Sequence, residues 1–450
     1  MTSTRRAVTI HWFRRDLRLE DNHGLFRALS EHGEVLPLFI FDTDILDRLE
    51  NRHDRRVDFI HRALSGLQEH LVNRGSTLLV EHGRPTEVWK RLLERYEVKA
   101  VTANHDHEPY ANARDKAVND LLAARGIAFR TFKDISIFER SEVVKDDGGP
   151  YTVFTPYMRK WRSLFRPEHA EAFPSGKLVD AFHRTEPLPL PSIEQIGFGP
   201  TDLRIPPTSV SDDLLRHYER TRDVPAIDGT SRMSVHLRFG TVSVRELVRR
   251  SFATSPKYLN ELIWREFYMQ VLWHHPHAVE RAIKPGYDRI AWRRDEQDLR
   301  TWSEGRTGYP LVDAGMRELN ATGLMHNRVR MVVASFLTKH LLLDWRWGEA
   351  YFAARLLDFE LSSNNGGWQW ASGSGCDAAP YFRVFNPALQ QQKFDPQLKY
   401  VKRWVPEAGS ANYVQPMVVH EVARNRALKA YAEALRDGPR RTEARPQLFN

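Results

Sequence analysis

The sequence predicts two domains of different class: an α/β domain built on a five-stranded parallel sheet over residues 1–135, and an all-α domain over 208–450, joined by a connector over 136–207. Three observations predict it. Short β-rich apolar runs alternate with helical patterns in the first part of the chain, a Pro- and Gly-rich stretch then breaks the pattern, and beyond it strand signals nearly vanish. A chain of 450 residues with 41% hydrophobic content is also better divided between two cores than packed around one.

The strand runs are Val8 to Phe13, Val35 to Phe41, Thr77 to Val80, Ala100 to Asn104 and Phe129 to Phe132. Arg56 to Arg74 has helical periodicity and stops at Gly75. No Gly-x-Gly-x-x-Gly follows the first strand, so the ordinary dinucleotide fingerprint is missing. The connector is expected to wrap as an extended segment, because it holds Asp146-Asp147-Gly148-Gly149-Pro150, Pro187-Leu188-Pro189-Leu190-Pro191 and Pro206-Pro207. Helical patterns then run through Leu259 to His274, Leu311 to Leu319 and Val329 to Leu343, and an Arg-rich tail after Gly438 is expected to fray.

Cys376 is the single cysteine, which excludes an internal disulfide framework and any Cys-based metal cluster; no metal site is expected. Arg5 and Arg6 precede Val8-Thr9-Ile10 rather than a long apolar run, so neither a signal peptide nor a membrane span is expected, and the chain reads as a soluble, cytoplasmic monomer. The formal charge of +8 favours an anionic partner. Twelve Trp are unusual; a Trp-rich core explains them, and so does stacking on a ring system or carriage of electrons.

Four strings in the helical region carry chemistry. In Thr230-Ser231-Arg232-Met233-Ser234, hydroxyls and a guanidinium stand ahead of a helical run, where they cap a helix or bind phosphate. Glu261, Trp264 and Arg265 stand at i, i+3 and i+4, so one helical face presents an acid, a large ring and a fork donor; a surface ion pair beside a half-buried Trp is the plainer reading. In Met325-His326-Asn327-Arg328-Val329-Arg330-Met331, Asn327 and Met331 share a face, and the Asn amide can read a base edge while Met packs on planar groups. Asp358-Phe359-Glu360 leads into Asn364-Asn365-Gly366-Gly367-Trp368-Gln369-Trp370, where adjacent glycines suggest close approach of the backbone to a bulky ligand.

Together with Trp12-Phe13-Arg14-Arg15-Asp16-Leu17-Arg18, Asp21-Asn22 and Gly308-Tyr309-Pro310-Leu311-Val312-Asp313-Ala314, these strings resemble the photolyase/cryptochrome family, in preserved order through nearly the whole chain. Within it they look like the class I photolyases of cyclobutane pyrimidine dimers. The resemblance implies a Rossmann-like α/β N-terminal domain carrying an antenna pigment and an all-α C-terminal FAD-binding domain. It implies a light-dependent lyase that flips a dimer out of UV-damaged DNA and splits it with an electron from reduced FAD.

By the same resemblance, Tyr218, Thr230, Ser231, Arg232, Met233 and Ser234 would hold the FAD phosphates and ribityl chain. Asp358 and Glu360 would face the flavin ring and its adenine side, with Asn364 near the flavin N5; the family usually has Asp where Glu360 stands. Trp264 and Trp370 would wall the dimer pocket, Glu261 would bond the pyrimidine edge, and Asn327 and Met331 would line the site. Arg222, Arg265, Arg328 and Arg383 would meet DNA phosphates, and Trp368, Trp345 and Trp292 would carry electrons inward from the surface. Arg56, Asp106 and Glu108 would hold the antenna, with 8-hydroxy-5-deazaflavin favoured and folate, FMN or no antenna left open.

Three readings compete, of which a non-catalytic basic DNA-binding protein fails to explain the flavin-site strings. A cryptochrome photoreceptor would share the fold and FAD without repair, but Glu261, Trp264, Asn327, Met331 and Trp370 are all present. A (6-4) photolyase would be expected to carry a His pair where Asn327 and Met331 stand, and His326 alone does not supply it.

Overall fold

The computed structural model of the chain describes residues 7–378 and 380–436. Arg5, Arg6 and the basic tail from Gly438 lie outside the described residues. The strands are β1 (Ala7–Phe13), β2 (Val35–Asp42), β3 (Leu79–Gly83), β4 (Glu97–Asn104) and β5 (Ala128–Phe132). They form one parallel sheet in the order β3-β2-β1-β4-β5. β2 is buried along its whole length and β1 after its first residue, which is why both read as unbroken apolar runs. Helices α1 (His23–Glu31), the single turn α2 (Thr43–Leu46), α3 (Arg55–Val72), α4 (Pro85–Arg95) and α5 (Pro109–Ala123) supply the crossovers. Strand order reverses between β1 and β4, so a crevice opens beyond their carboxyl ends. Arg14, Arg15 and Asp16 line it from one side and Asn104, His105 and Asp106 from the other.

The segment from 136 to 207 is less extended than its prolines suggest, because α6 (Phe154–Leu164) forms within it. Phe154, Tyr157 and Trp161 fall one helical turn apart and bury one face of α6 against the helical domain, with Phe165 just past its end in the same cluster. Pro156 lies in the first turn, where its missing N–H costs nothing.

The helical domain comprises α7 (Asp212–Thr221), α8 (Met233–Phe239), α9 (Val244–Thr254), α10 (Pro256–His274), α11 (Glu296–Ser303) and α12 (Pro310–Thr322). It continues with α13 (Asn327–Ser335), α14 (Trp345–Arg355), α15 (Leu361–Ser372), α16 (Pro387–Phe394), α17 (Lys399–Trp404) and α18 (His420–Leu435). The two domains are locked by buried charge: Arg245 of α9 pairs with both Asp21 and Asp134 of the α/β domain, and Arg18 of that domain shares Asp134. Gly240 ends α8 at φ +67, and a Cβ there would stand 2.0 Å from the Arg15 carbonyl oxygen, so only glycine lets the β1 loop lie this close to the helical domain.

Candidate active site

α10 begins with Pro256 at its first turn and carries the acid and ring expected to meet the lesion. Trp264 stacks on Phe154 at 3.8 Å with rings 6° apart, so the connector helix occupies one of its faces. Glu261 is paired with Arg222, which caps the C-terminus of α7, and not with Arg265 one turn away on α10. Asp223 lies 3.8 Å from Arg222 and accepts from Arg328 at 2.7 Å. Arg328 in turn approaches the Met331 sulfur at 3.8 Å. One chain of charges therefore joins Glu261 on α10 to Arg328 and Met331 on α13, with Asn327 exposed at the first turn of that helix.

Arg265 does not join the expected DNA contacts. Its side chain is 10% exposed, and its guanidinium donates to the carbonyls of Ile135 and Leu237 and to Glu360. A buried guanidinium needs carbonyl and carboxylate partners, and Ile135 and Leu237 supply the first while Glu360 supplies the second. Glu360 is also bonded by Arg15 at 2.5 Å and by the Ser363 hydroxyl at 3.0 Å, so its carboxyl faces the domain junction. Burial alone would push that carboxyl up, but the Arg265 and Arg15 guanidiniums outweigh it and hold it below the usual carboxylate range.

The same Arg15 reaches Asp106 at 2.9 Å and Glu108 at 3.2 Å, and Arg238 donates to Glu108 at 3.0 Å. Two of the expected antenna residues thus sit together beside the crevice of the sheet, already neutralised by arginines. Arg56 does not join them: it pairs with Asp54, the cap of its own helix, and donates to the Ala353 carbonyl.

Asp358 accepts from Arg330 at 3.1 and 2.9 Å. Asn364 donates its amide to the backbone and side chain of Glu349, which fixes the orientation of its carbonyl. The glycine pair of α15 divides: a Cβ at Gly366 would fall 2.2 Å from the Tyr268 ring, so a protein ring and not a ligand explains this glycine, whereas one at Gly367 meets nothing within 4 Å. Ser362 Oγ is buried without a hydrogen-bond partner among the described residues. An open Gly367, an unpartnered hydroxyl and an oriented amide on one helix fit the edge of a polar planar cofactor.

Ahead of α8, the Ser231 hydroxyl accepts from Met233 N and bonds Tyr258, which realises the capping role. Arg232 pairs with Asp228 on the surface, Met233 is buried, and Ser234 is exposed; Thr230 is half-buried. Tyr218 packs edge-on against Tyr258 at 5.0 Å. Trp345 and Trp368 are buried in the core of the helical domain, and Trp292 packs on its edge, half-buried against Tyr431. Trp370 is half-buried beside Phe385, and Arg383 is exposed two residues before it.

Local sequence pattern does not reveal several pairings at the site: Arg15 and Arg238 on the acids, Arg330 on Asp358, Glu349 on Asn364, and Asp223 between two arginines. His326 also caps α13 through Nδ1, and burial pushes its pKa down to about 4, so the ring stays neutral there. Asp223 follows Arg222 directly, and that adjacency was the one available signal.

The chain matches the family model described as DNA photolyase over residues 9–177 and the FAD binding domain of DNA photolyase over residues 258–412. It is 37% identical to the deoxyribodipyrimidine photo-lyase of Escherichia coli, covering 96% of this chain and 100% of that protein. It is 36% identical to the one of Halobacterium salinarum, covering 98% of each. A bacterial class III photolyase from Agrobacterium tumefaciens superimposes with a TM-score of 0.85 at 33% identity, over 96% of this chain and 98% of that one. These matches span both domains. The chain belongs to the DNA photolyase family, and its helical domain is an FAD-binding domain.

Proposed function

We propose that the chain is a light-dependent deoxyribodipyrimidine photo-lyase, which splits cyclobutane pyrimidine dimers in UV-damaged DNA. The observation that carries the reading is the contact between its two working helices. Tyr268, one turn after Trp264 on α10, lies against Gly366 of α15, two residues from Asn364 and Trp368. The helix with the acid and ring for a lesion is thus packed on the helix with the polar face for a cofactor.

When bound, reduced FAD supplies the photoexcited electron that opens the cyclobutane ring and receives it back, with no net redox change. The chain's own residues do the rest. Trp264 and Trp370 stack on a dimer flipped out of the duplex, and Glu261 hydrogen-bonds its pyrimidine edge. Asn327 and Met331 line the remaining wall. Arg222, Arg328 and Arg383 meet the distorted backbone; Arg265, committed to Glu360, is left out. Tyr218, the Thr230 to Ser234 segment, Asp358 and Asn364 hold the cofactor, with Glu360 acting from the domain junction. Trp292, Trp345 and Trp368 would carry electrons from the surface to an oxidised flavin. The protein works as a cytoplasmic monomer on DNA.

A second, light-collecting chromophore belongs to the same reading. Reconstitution with 8-hydroxy-5-deazaflavin, reduced folate and FMN in turn, read by energy transfer to the flavin, decides among the three. The activity itself is tested by blue-light repair of an oligonucleotide with one cyclobutane dimer, beside a (6-4) substrate. Repair of the first and not the second is expected, and loss of neither lesion would refute the proposal.

A further inference from the structure

At the mouth of the site four charges alternate: Glu261, Arg222, Asp223 and Arg328. They come from α10, from the end of α7 with the residue after it, and from the first turn of α13, and their sum is zero. A charge-balanced cluster at this place is unexpected on a chain of net charge +8 whose partner is a polyanion. Three of the four already have a role on the lesion or its backbone, and Asp223 has none.

Its position is specific. Asp223 Oδ1 accepts from Arg328 Nη2 at 2.7 Å and lies 3.8 Å from Arg222 Nε. Its side chain is 43% exposed, against 15% for Arg222 and 21% for Arg328, so the acid stands outside the two guanidiniums. Arg328 is further confined by the Phe394 ring, 4.4 Å below its guanidinium carbon. Among the described residues, Arg222 has two acids within reach and Arg328 has one.

We infer that Asp223 is a specificity-determining positioning residue, which offsets the charge of Arg222 and Arg328 in the free enzyme and keeps Arg222 paired when Glu261 turns to the pyrimidine edge. The inference rests on the proposed repair function. Non-specific binding draws on counterion release, to which each phosphate neutralised contributes about 0.9 in the slope of log affinity against log salt. An arginine already paired with a carboxylate gives little of that gain, so undamaged duplex is held weakly. A flipped dimer engages Glu261 and shifts Arg222 onto Asp223, so the lesion meets a cation that is still held in place. The discrimination lies in this exchange of partners.

The test titrates FAD-loaded wild type, Asp223→Asn and Asp223→Glu in the dark against dimer-containing and undamaged oligonucleotides of one sequence, between about 50 and 200 mM salt. Asp223→Asn should bind undamaged DNA more tightly with a salt slope steeper by up to about 0.9, lower the damaged-to-undamaged ratio about tenfold, and be rescued by Asp223→Glu. A ratio within about twofold of wild type overturns the inference. So does an equal loss on both DNAs that Asp223→Glu does not restore, which would mark a structural residue. Wild type that shows no preference for the dimer overturns this inference and the repair function together, whereas wild-type preference with an unaltered Asn variant overturns this inference alone.

Discussion

Gly348 of α14 tests the placement of Trp368 without altering its indole. A Cβ at that position falls 2.1 Å from Cη2 and 2.4 Å from Cζ3 of Trp368, and 2.7 Å from Cδ2 of Leu337, where ordinary contact begins at 3.4 Å. The ring cannot swing aside cheaply: it is 2% exposed and meets Phe352 at 5.0 Å and Trp302 at 6.1 Å, both edge-on. Overpacking of this kind costs about 1 to 3 kcal/mol, while Gly→Ala inside a helix returns about 1 kcal/mol. Gly348→Ala should therefore destabilise by up to about 2 kcal/mol. Gly66 in α3 has nothing within 4 Å of its added Cβ, so Gly66→Ala keeps only the helix gain and should stabilise by about 0.5 to 1 kcal/mol. Denaturant melts of the two variants should move in opposite directions, and light-driven reduction of oxidised flavin should slow in Gly348→Ala alone. If Gly348→Ala melts with Gly66→Ala and photoreduces at the wild-type rate, the packing of Trp368 described above is wrong.

Trp368→Phe should abolish most photoreduction of oxidised flavin while dark binding of damaged DNA persists; unchanged photoreduction would return Trp368 to a packing role. Glu261→Ala should lower repair per absorbed photon more than lesion affinity, which should weaken by about 1 to 3 kcal/mol, and wild-type quantum yield at full flavin content would refute its contact with the dimer. Glu266 predicts a pH effect: burial pushes its carboxyl from 4.5 up to about 7, against the opposing bonds from Ile137 N, Trp161 Nε1 and Phe138 N. Between those values the folded chain keeps a proton that the unfolded chain has shed, so this stability is full below 4.5 and lost as pH rises to about 7, at most about 3 kcal/mol. The stability of wild type relative to Glu266→Gln should fall across that window, and a flat difference would contradict the shift.

The sheet was legible because a parallel strand covered on both faces reads as an apolar run, and β1 and β2 are such strands. The edges were not. β3 runs on through Glu81 and His82 to Gly83, and β4 starts at Glu97 with alternate residues exposed, so runs drawn from apolar residues stop short in one and start late in the other. α6 was hidden between Gly149-Pro150 and the proline stretch, although Tyr157, Trp161 and Phe165 keep helical spacing. Breaker residues fix where a helix cannot lie, and give no measure of the apolar face that makes one form.

Partner choice is where sequence reasoning stops at this site. Periodicity puts Glu261 and Arg265 on one face of α10, and an i, i+4 pair in water contributes only a few tenths of a kcal/mol. A buried guanidinium without a carboxylate costs far more than that, so the stronger demand decides: Arg265 goes inward to Glu360, and Glu261 is left to Arg222. Glu360 in turn meets Arg15 across 345 residues of chain, with a side chain one methylene longer than Asp. No local pattern encodes that contact, because its cause is the packing of the β1 loop on Gly240. The lesion face could be read from short strings since its chemistry resides in single side chains. Which acid holds which arginine depends on which charges folding takes out of water.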